Sequence, residues 1–434
     1  MKAMTRSKPA PFPVPTQGRS PGFLLSLTTL AVAAGFIAPA AAGPWPAWRG
    51  PEGNGISREV GVPTRWSPRE NVAWRVAVKG AGSSTPVIWG GRIFLTAQTE
   101  DEREWVMALN RADGRLVWER EAGRGMRRTR AGANMASASA ATDGERLVAT
   151  FGTGELLCFD VEGRPLWSRH LEADHGAFTI WWGYSNSPVL HDDLVLVTVI
   201  NEGPSYVLAL DKRTGETRWK TPRKTPATSE ACDAYVTPLV YRAGDRWEVF
   251  VTGGTWATGY NLADGRLLWR VDVGGDRTIV SPTYYDGMLY VTSGQRGPLF
   301  AIEAGDLEAS GRERIRWKYL RATPDVPCPL AYGDYVYVIN DSGIAMCLQR
   351  STGELVWQER IGGDFKASPI WAEGRLYFLN RDGETAVVAA EPAFRLLELN
   401  EIGEAAAMGS LAVADGRLFL RTVSGLVCIG PPQP

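Results

Sequence analysis

From Thr85 onward the apolar positions fall into short runs, and long helical patterns are hard to find among them. The first full set reads Thr85 to Trp89, Arg92 to Thr96, Trp105 to Leu109 and Leu116 to Trp118. Asp-Gly, Glu-Gly and Gly-Glu pairs divide such runs along the chain, which predicts short strands joined by tight hairpins. A Ser, Thr or Cys followed by proline opens most of the first strands of these sets, at Thr85-Pro86, Ser187-Pro188, Thr237-Pro238, Ser281-Pro282, Cys328-Pro329 and Ser368-Pro369. Proline is tolerated at the first residue of a strand, so the pair reads as a strand start.

The sets repeat. Ala108 to Trp118 and Ala209 to Trp219 share one frame, and Gly stands four residues before Trp again at Gly163/Trp167, Gly265/Trp269 and Gly353/Trp357. Trp317 fits with an insertion after Gly305, and Trp74 stands alone in the run from Asn71 to Val76. From Trp74 to Trp357 the tryptophan spacings are 44, 49, 52, 50, 48 and 40 residues, the range of a propeller blade with four strands. A seventh interval ends near Leu397 without a Trp, and the remainder holds only three strands, Ser410 to Val413, Arg417 to Arg421 and Leu426 to Ile429. Pairing Asn71 to Val78 with those three makes an eighth blade from both ends of the chain, so no sheet edge stays open. The expected fold is all-β, an eight-bladed propeller of four-stranded antiparallel blades, with residues 43–434 as one domain. A length of 434 residues would otherwise suggest two or three domains.

Composition narrows the function classes. Lys+Arg 47 against Asp+Glu 48 gives a net charge of −1, without the basic footprint that nucleic-acid binding needs. Three histidines, His170, His175 and His191, leave little material for a metal site, and none is expected. Residues 1–22 carry Lys2, Arg6, Lys8 and Arg19 with no acid, ahead of an apolar stretch from Phe23 to Ile37 and the small-residue end Ala40-Ala41-Ala42-Gly43. That pattern reads as a signal peptide over residues 1–42, and its apolar run is shorter than a membrane span requires. The mature chain is then expected to be exported to the periplasm or beyond the cell, soluble, without a transmembrane segment, and monomeric. Three of the five cysteines, Cys158, Cys347 and Cys428, sit where other repeats carry Ala108, Ala209 or Ala301, so they read as small buried residues.

The segment Ala209 to Trp219 matches the pattern A-x-D-x-x-T-G-x-x-x-W residue for residue. In this it resembles the tryptophan-docking repeat of the pyrroloquinoline quinone (PQQ)-like β-propeller family, whose superfamily includes the quinoprotein alcohol dehydrogenases and the outer-membrane assembly factor BamB. The opening Trp45 to Pro51, followed by Asn54 to Ser57, is similar to the start of secreted bacterial members. The resemblance spans roughly residues 45–430 and implies the fold. It gives Trp74, Trp118, Trp167, Trp219, Trp269, Trp317 and Trp357 a docking role, each ring set against the neighbouring blade. The quinoprotein branch would imply PQQ with calcium and a catalytic aspartate at the ring centre. Against that stand the lack of adjacent cysteines, of a calcium loop and of a C-x-x-C-H haem motif. No cofactor is therefore expected, with a PQQ- and Ca²⁺-dependent dehydrogenase as the alternative.

Function must then lie in the loops. Three successive blade-to-blade connections are long, Gly123 to Ser137, Glu172 to Ser187 and Pro222 to Thr237, whereas Val273 to Val280 and Ile361 to Lys366 are short. The long ones carry Arg127, Arg128, Trp181, Trp182, Tyr184, Glu230, Asp233 and Tyr235, a mixture of aromatic and charged groups suited to a protein partner or a small ligand. His175, Glu230 and Asp233 are the candidates for any catalysis. Simple packing of the rings beneath their own loops is the competing reading, and His170 and His191 are expected at strand ends.

Overall fold

The computed structural model describes residues 43–126, 134–294, 297–305 and 311–431. Its strands form eight sheets, seven of four strands and one of five. Blade 1 runs through Val87–Trp89, Arg92–Gln98, Arg103–Asn110 and Leu116–Arg124, each strand antiparallel to the one before. The eighth blade joins Ala412–Ala414, Arg417–Arg421 and Gly425–Ile429 to Val72–Ala77 from the N-terminal side. The expected ring closure is thus present, with Trp74 opposite Cys428.

One register explains both the tryptophans and the cysteines. In seven blades the docking Trp on the outermost strand faces a small residue on the third strand: Ala108–Trp118, Cys158–Trp167, Ala209–Trp219, Gly259–Trp269, Ala301–Trp317, Cys347–Trp357 and Cys428–Trp74. A bulge at each of these pairs re-aims the indole toward the following blade. All five cysteines are buried and free. Burial pushes the Cys158, Cys347 and Cys428 thiols up to about 12, so they act as compact apolar fillers.

Six of the seven indoles reach the next blade. The Trp219 Nε1–H donates to the Leu262 carbonyl at 2.9 Å, and its ring covers Gly265, where φ is +71° and a Cβ would lie 2.3 Å from the indole. Glycine there meets both demands, the left-handed turn and the close approach. Trp74, Trp118, Trp167, Trp317 and Trp357 donate in the same way to Arg111, Val161, Lys212, Arg350 and Glu391. Trp269 departs from this expectation: its Nε1–H donates to Glu248 of its own blade at 2.9 Å. The following blade carries the insertion after Gly305, no atom of the described residues lies within 4 Å of a Cβ placed there, and the Arg314 guanidinium covers the Trp269 ring at 4.8 Å instead.

The Ser/Thr/Cys-Pro pairs lie just ahead of the innermost strands. Their hydroxyls link the blades around the axis. Backbone N–H groups donate from Thr85 to Ser139, Ser139 to Ser187, Ser187 to Thr237 and Thr237 to Ser281, at 2.9–3.2 Å. The ring continues from Cys328 to Ser368, Ser368 to Ser410 and Ser410 back to Thr85, at 2.9–3.0 Å. Between Ser281 and Cys328, where a thiol replaces the hydroxyl, no such bond forms.

The segment from Trp45 to Ser57 lies inside the ring against the inner strands. Trp45 exchanges two backbone bonds with Ile88, Pro46 accepts from Thr142, and Ile56–Ser57 adds to Trp371–Ala372 as a parallel fifth strand. Arg49, 1% exposed, donates to the carbonyls of Pro282, Asn54 and Pro329 and to the Thr283 hydroxyl. A segment that ties together distant blades in this way stiffens the ring and fills one end of its channel.

Candidate functional site

The end of the channel opposite that segment opens as a cavity of about 420 Å³, with Trp48 on its floor and the ring hydroxyls of Ser139, Ser187, Thr237, Ser368 and Ser410 around it. The connections that lead into successive inner strands build its rim. In the connection from Pro222 to Thr237 a short 3-10 helix, Ser229–Cys232, is closed by the Asp233 N–H donating to the Glu230 carbonyl. The next residues are clamped on both sides: Ala234 donates to Ile200, Tyr235 to Thr278, and Thr278 back to Asp233. This holds Asp233 in the interior, 1% exposed, where its Oδ2 accepts from the Trp181 N–H at 2.9 Å and the Tyr235 hydroxyl at 3.4 Å. Burial lifts the Asp233 carboxyl to about 6 in spite of those two donors, with Glu230 and Glu202 adding to the rise.

Beside it, the Trp182 indole donates to Glu230 Oε1 at 2.6 Å, and the Trp182 N–H donates to the Tyr235 hydroxyl at 3.2 Å. The Arg277 guanidinium lies over the Trp182 ring at 5.5 Å and bridges Glu230 at 3.2 Å and Asp325 at 3.1 Å. The alternation of charge continues: the Asp325 N–H donates to Asp341, and Lys366 joins Asp341 at 3.0 Å and Asp364 at 3.1 Å. Burial works against the Lys366 ammonium, yet the two carboxylates leave its pKa raised. The network leaves Arg277 Nε and Asp325 Oδ1 buried without partners. One donor and one acceptor therefore remain unpaired within the pairs that line the cavity.

Of the residues singled out from the sequence, Trp181, Trp182, Glu230, Asp233 and Tyr235 come together here. Tyr184 also lines the cavity but takes no part in this cluster: it is 2% exposed, and its ring packs on Phe178 at 5.0 Å in the core of the second and third blades. His175 ends the short helix Leu171–His175 that continues an outermost strand, so it stays at the outer edge. There it meets Lys220 at 3.2 Å and the Tyr206 ring at 4.9 Å, and burial followed by the Lys220 charge lowers its pKa. Arg127 and Arg128 lie outside the described residues. His170 and His191 close their strands, as expected.

Arg277, Asp325, Lys366 and Trp48 lie outside the long connections, so loop length does not point to them. A signal existed: Gly274-Gly275-Asp276-Arg277 and Gly362-Gly363-Asp364-Phe365-Lys366 repeat one phrase at equivalent places ahead of an inner strand.

Among the described residues no three His, Cys, Asp or Glu side chains gather as a metal site, and the rim carboxylates are already engaged by Arg277, Lys366 or N–H groups.

An eight-bladed ring with docking tryptophans, closed by its own N-terminal strand and cupped at one end of the axis, is a PQQ-like repeat propeller. The chain belongs to the family described as outer membrane protein assembly factor BamB, whose model matches residues 67–203 and 203–430. The BamB of Moranella endobia is 24% identical over 282 residues, 59% of this chain and 66% of that protein, so the match spans just under two thirds of the relative. The crystal structure of BamB from Moraxella catarrhalis superposes with a TM-score of 0.58 at 17% identity, covering 82% of this chain and 95% of that one. A quinohemoprotein alcohol dehydrogenase from Comamonas testosteroni superposes at 0.64 with 12% identity, over 90% of this chain and 81% of the enzyme. At such identities the solved structures speak for the fold alone.

Proposed function

We propose that the protein is an exported, non-catalytic binding module that holds a protein partner on the cupped end of its channel, and that this partner belongs to the machinery assembling outer membrane proteins. The observation that carries the reading is the rim itself, where a half-buried Trp182 is pinned between Glu230 and Arg277 over a ready cavity. A rigid aromatic held in place loses little entropy on binding, and tryptophan and arginine are the residue types that most often dominate interfaces. The assembly role rests on the family and on relatives named as assembly factors. The donor set at the rim favours binding over quinone chemistry, and we assign no step to a quinone or to calcium.

The test is capture of envelope proteins by wild-type and Trp182→Ala chains, with thermal unfolding of both. An anchor lost from the interface weakens capture by roughly thirtyfold and leaves the melting temperature nearly unchanged. A strongly lowered melting temperature with every partner retained would make Trp182 a packing residue and remove the binding face.

A further inference from the structure

The ring of hydroxyls at the throat of the cavity has more to give than the blade-to-blade links use. Each of the seven, Thr85, Ser139, Ser187, Thr237, Ser281, Ser368 and Ser410, accepts one backbone N–H. A hydroxyl that accepts still carries its own hydrogen. Among the described residues no protein acceptor lies within hydrogen-bond distance of any of these hydroxyls as donors. Ser139, Ser187, Thr237, Ser368 and Ser410 line the cavity above the throat, Ser281 lines the one below it, and Thr237 and Trp48 line both. An electroneutral scaffold would have turned these hydrogens to carbonyls, as Thr283 does in donating to Pro329 at 2.6 Å.

Two buried cations add to the field. Arg49 bonds only to neutral oxygens, two of them on Pro282 and Pro329, the residues next to ring members Ser281 and Cys328. Its Nε is buried and unpartnered, and its guanidinium lies 5.8 Å from the Trp48 ring on the cavity floor. On the opposite side of the ring Arg421, 2% exposed, donates to the Ser84 hydroxyl and the Thr96 carbonyl. Among the described residues neither forms an ion pair with a carboxylate. The rim above is different, because there Arg277 and Lys366 are matched by acids. Both guanidiniums lie behind the walls and line neither cavity, so the throat itself presents O–H donors with spare hydrogens, and the two cations act on it through the field of a low-dielectric interior, where charge is felt more strongly than in water.

We propose that the hydroxyl ring is an oxyanion site on the propeller axis, taking a carboxylate or phosphate group that enters through the cavity over Trp48. The group is either a free small anion or the acidic end of a larger ligand. The proposal rests on the binding reading of the same cavity and adds the chemistry of what reaches its depth. Cys328 is the one interruption of the ring, so restoring a hydroxyl there should strengthen the site.

The experiment is calorimetric titration of the mature protein with sodium formate and, separately, sodium phosphate at constant ionic strength, on wild-type, Ser368→Ala and Cys328→Ser chains. At least one anion binds saturably below about 50 mM. Loss of one donor in Ser368→Ala weakens it by about fivefold or more, and Cys328→Ser tightens it by a similar factor. Formate alone points to a carboxylate, phosphate alone to a phosphoryl group. Because Ser368→Ala also removes the acceptor for the Cys328 N–H, the Cys328→Ser chain, which removes no bond, keeps the test decisive if the alanine variant unfolds. Absence of saturable binding by either anion, or affinities that neither variant changes, overturns the site. Anion binding that is absent while Trp182→Ala still abolishes partner capture removes the oxyanion site alone. The converse, an intact anion site with capture unaffected by Trp182→Ala, removes the partner face alone.

Discussion

Among single residues, the most exposed to a test by pH is Glu104. It is fully buried, accepts from the Thr153 hydroxyl at 2.8 and 2.9 Å, and stands near Glu155. Burial raises its pKa to about 8, the Thr153 bond pulls it down and the Glu155 charge adds to the rise. A carboxyl that holds its proton more tightly in the folded chain contributes stability that is complete below its unfolded value near 4.5 and is lost as pH rises through about 8. Glu104→Gln, which mimics the protonated form, is expected to lie close to wild type at pH 5 and to exceed it by about 4 kcal/mol at pH 9. Thermal unfolding at the two pH values measures this, and a difference that does not change with pH would contradict it. Nothing in the linear sequence marks Glu104, because its environment is made by Thr153 and Glu155 from the next blade. Trp182, by contrast, was legible, since aromatics in a long connection stand out against the blade repeat.

The repeat was the most readable feature of the strands and turns, and its logic is the pairing of each indole with the following blade's turn. Glycine precedes tryptophan by four residues because the glycine receives the previous blade's ring, whereas the tryptophan is destined for the next. Gly265→Ala is expected to cost about 2 kcal/mol or more, from a disfavoured φ and a clash with the Trp219 ring. Gly305→Ala, where no atom of the described residues lies within 4 Å, should cost less, from its φ of +103° alone with no clash added. Equal losses in urea unfolding at the two glycines would refute the docking account. The failure of Trp269 to dock was hidden because periodicity reports the frame and not the insertion after Gly305. The short connections that supply Arg277 and Lys366 were hidden for a related reason: length marks a loop, but side-chain reach and charge decide what it contributes at the rim.

For the whole molecule, closure is the property on which the rest depends. Val72–Ala77 pairs with Gly425–Ile429, and the segment ahead of it ties the inner strands of several blades together through Trp45, Arg49 and Ile56. Deleting residues 43–78 should open two sheet edges and remove the cavity floor, giving an aggregated product in size-exclusion chromatography. A monomer with an unchanged melting temperature would contradict the closed ring. Trp74→Ala, a milder cut at the same seam, is expected to cost about 3 kcal/mol or more. The eight-blade count was available from the sequence because one strand was missing at one end of the chain and one was spare at the other. The cup was not, because its floor and its charge ladder arise from residues far apart in sequence that meet only when the ring closes.

The proposed partner face is the cupped end of the channel. A photoreactive residue placed at 182 on the rim, and in a second chain at 247, where Trp247 is 39% exposed and packs on His191 at the end of an inner strand away from the throat, tests it directly. A discrete cross-linked adduct in the cell envelope is expected from position 182 and none from position 247. Adducts only from 247, or none from 182, would contradict it.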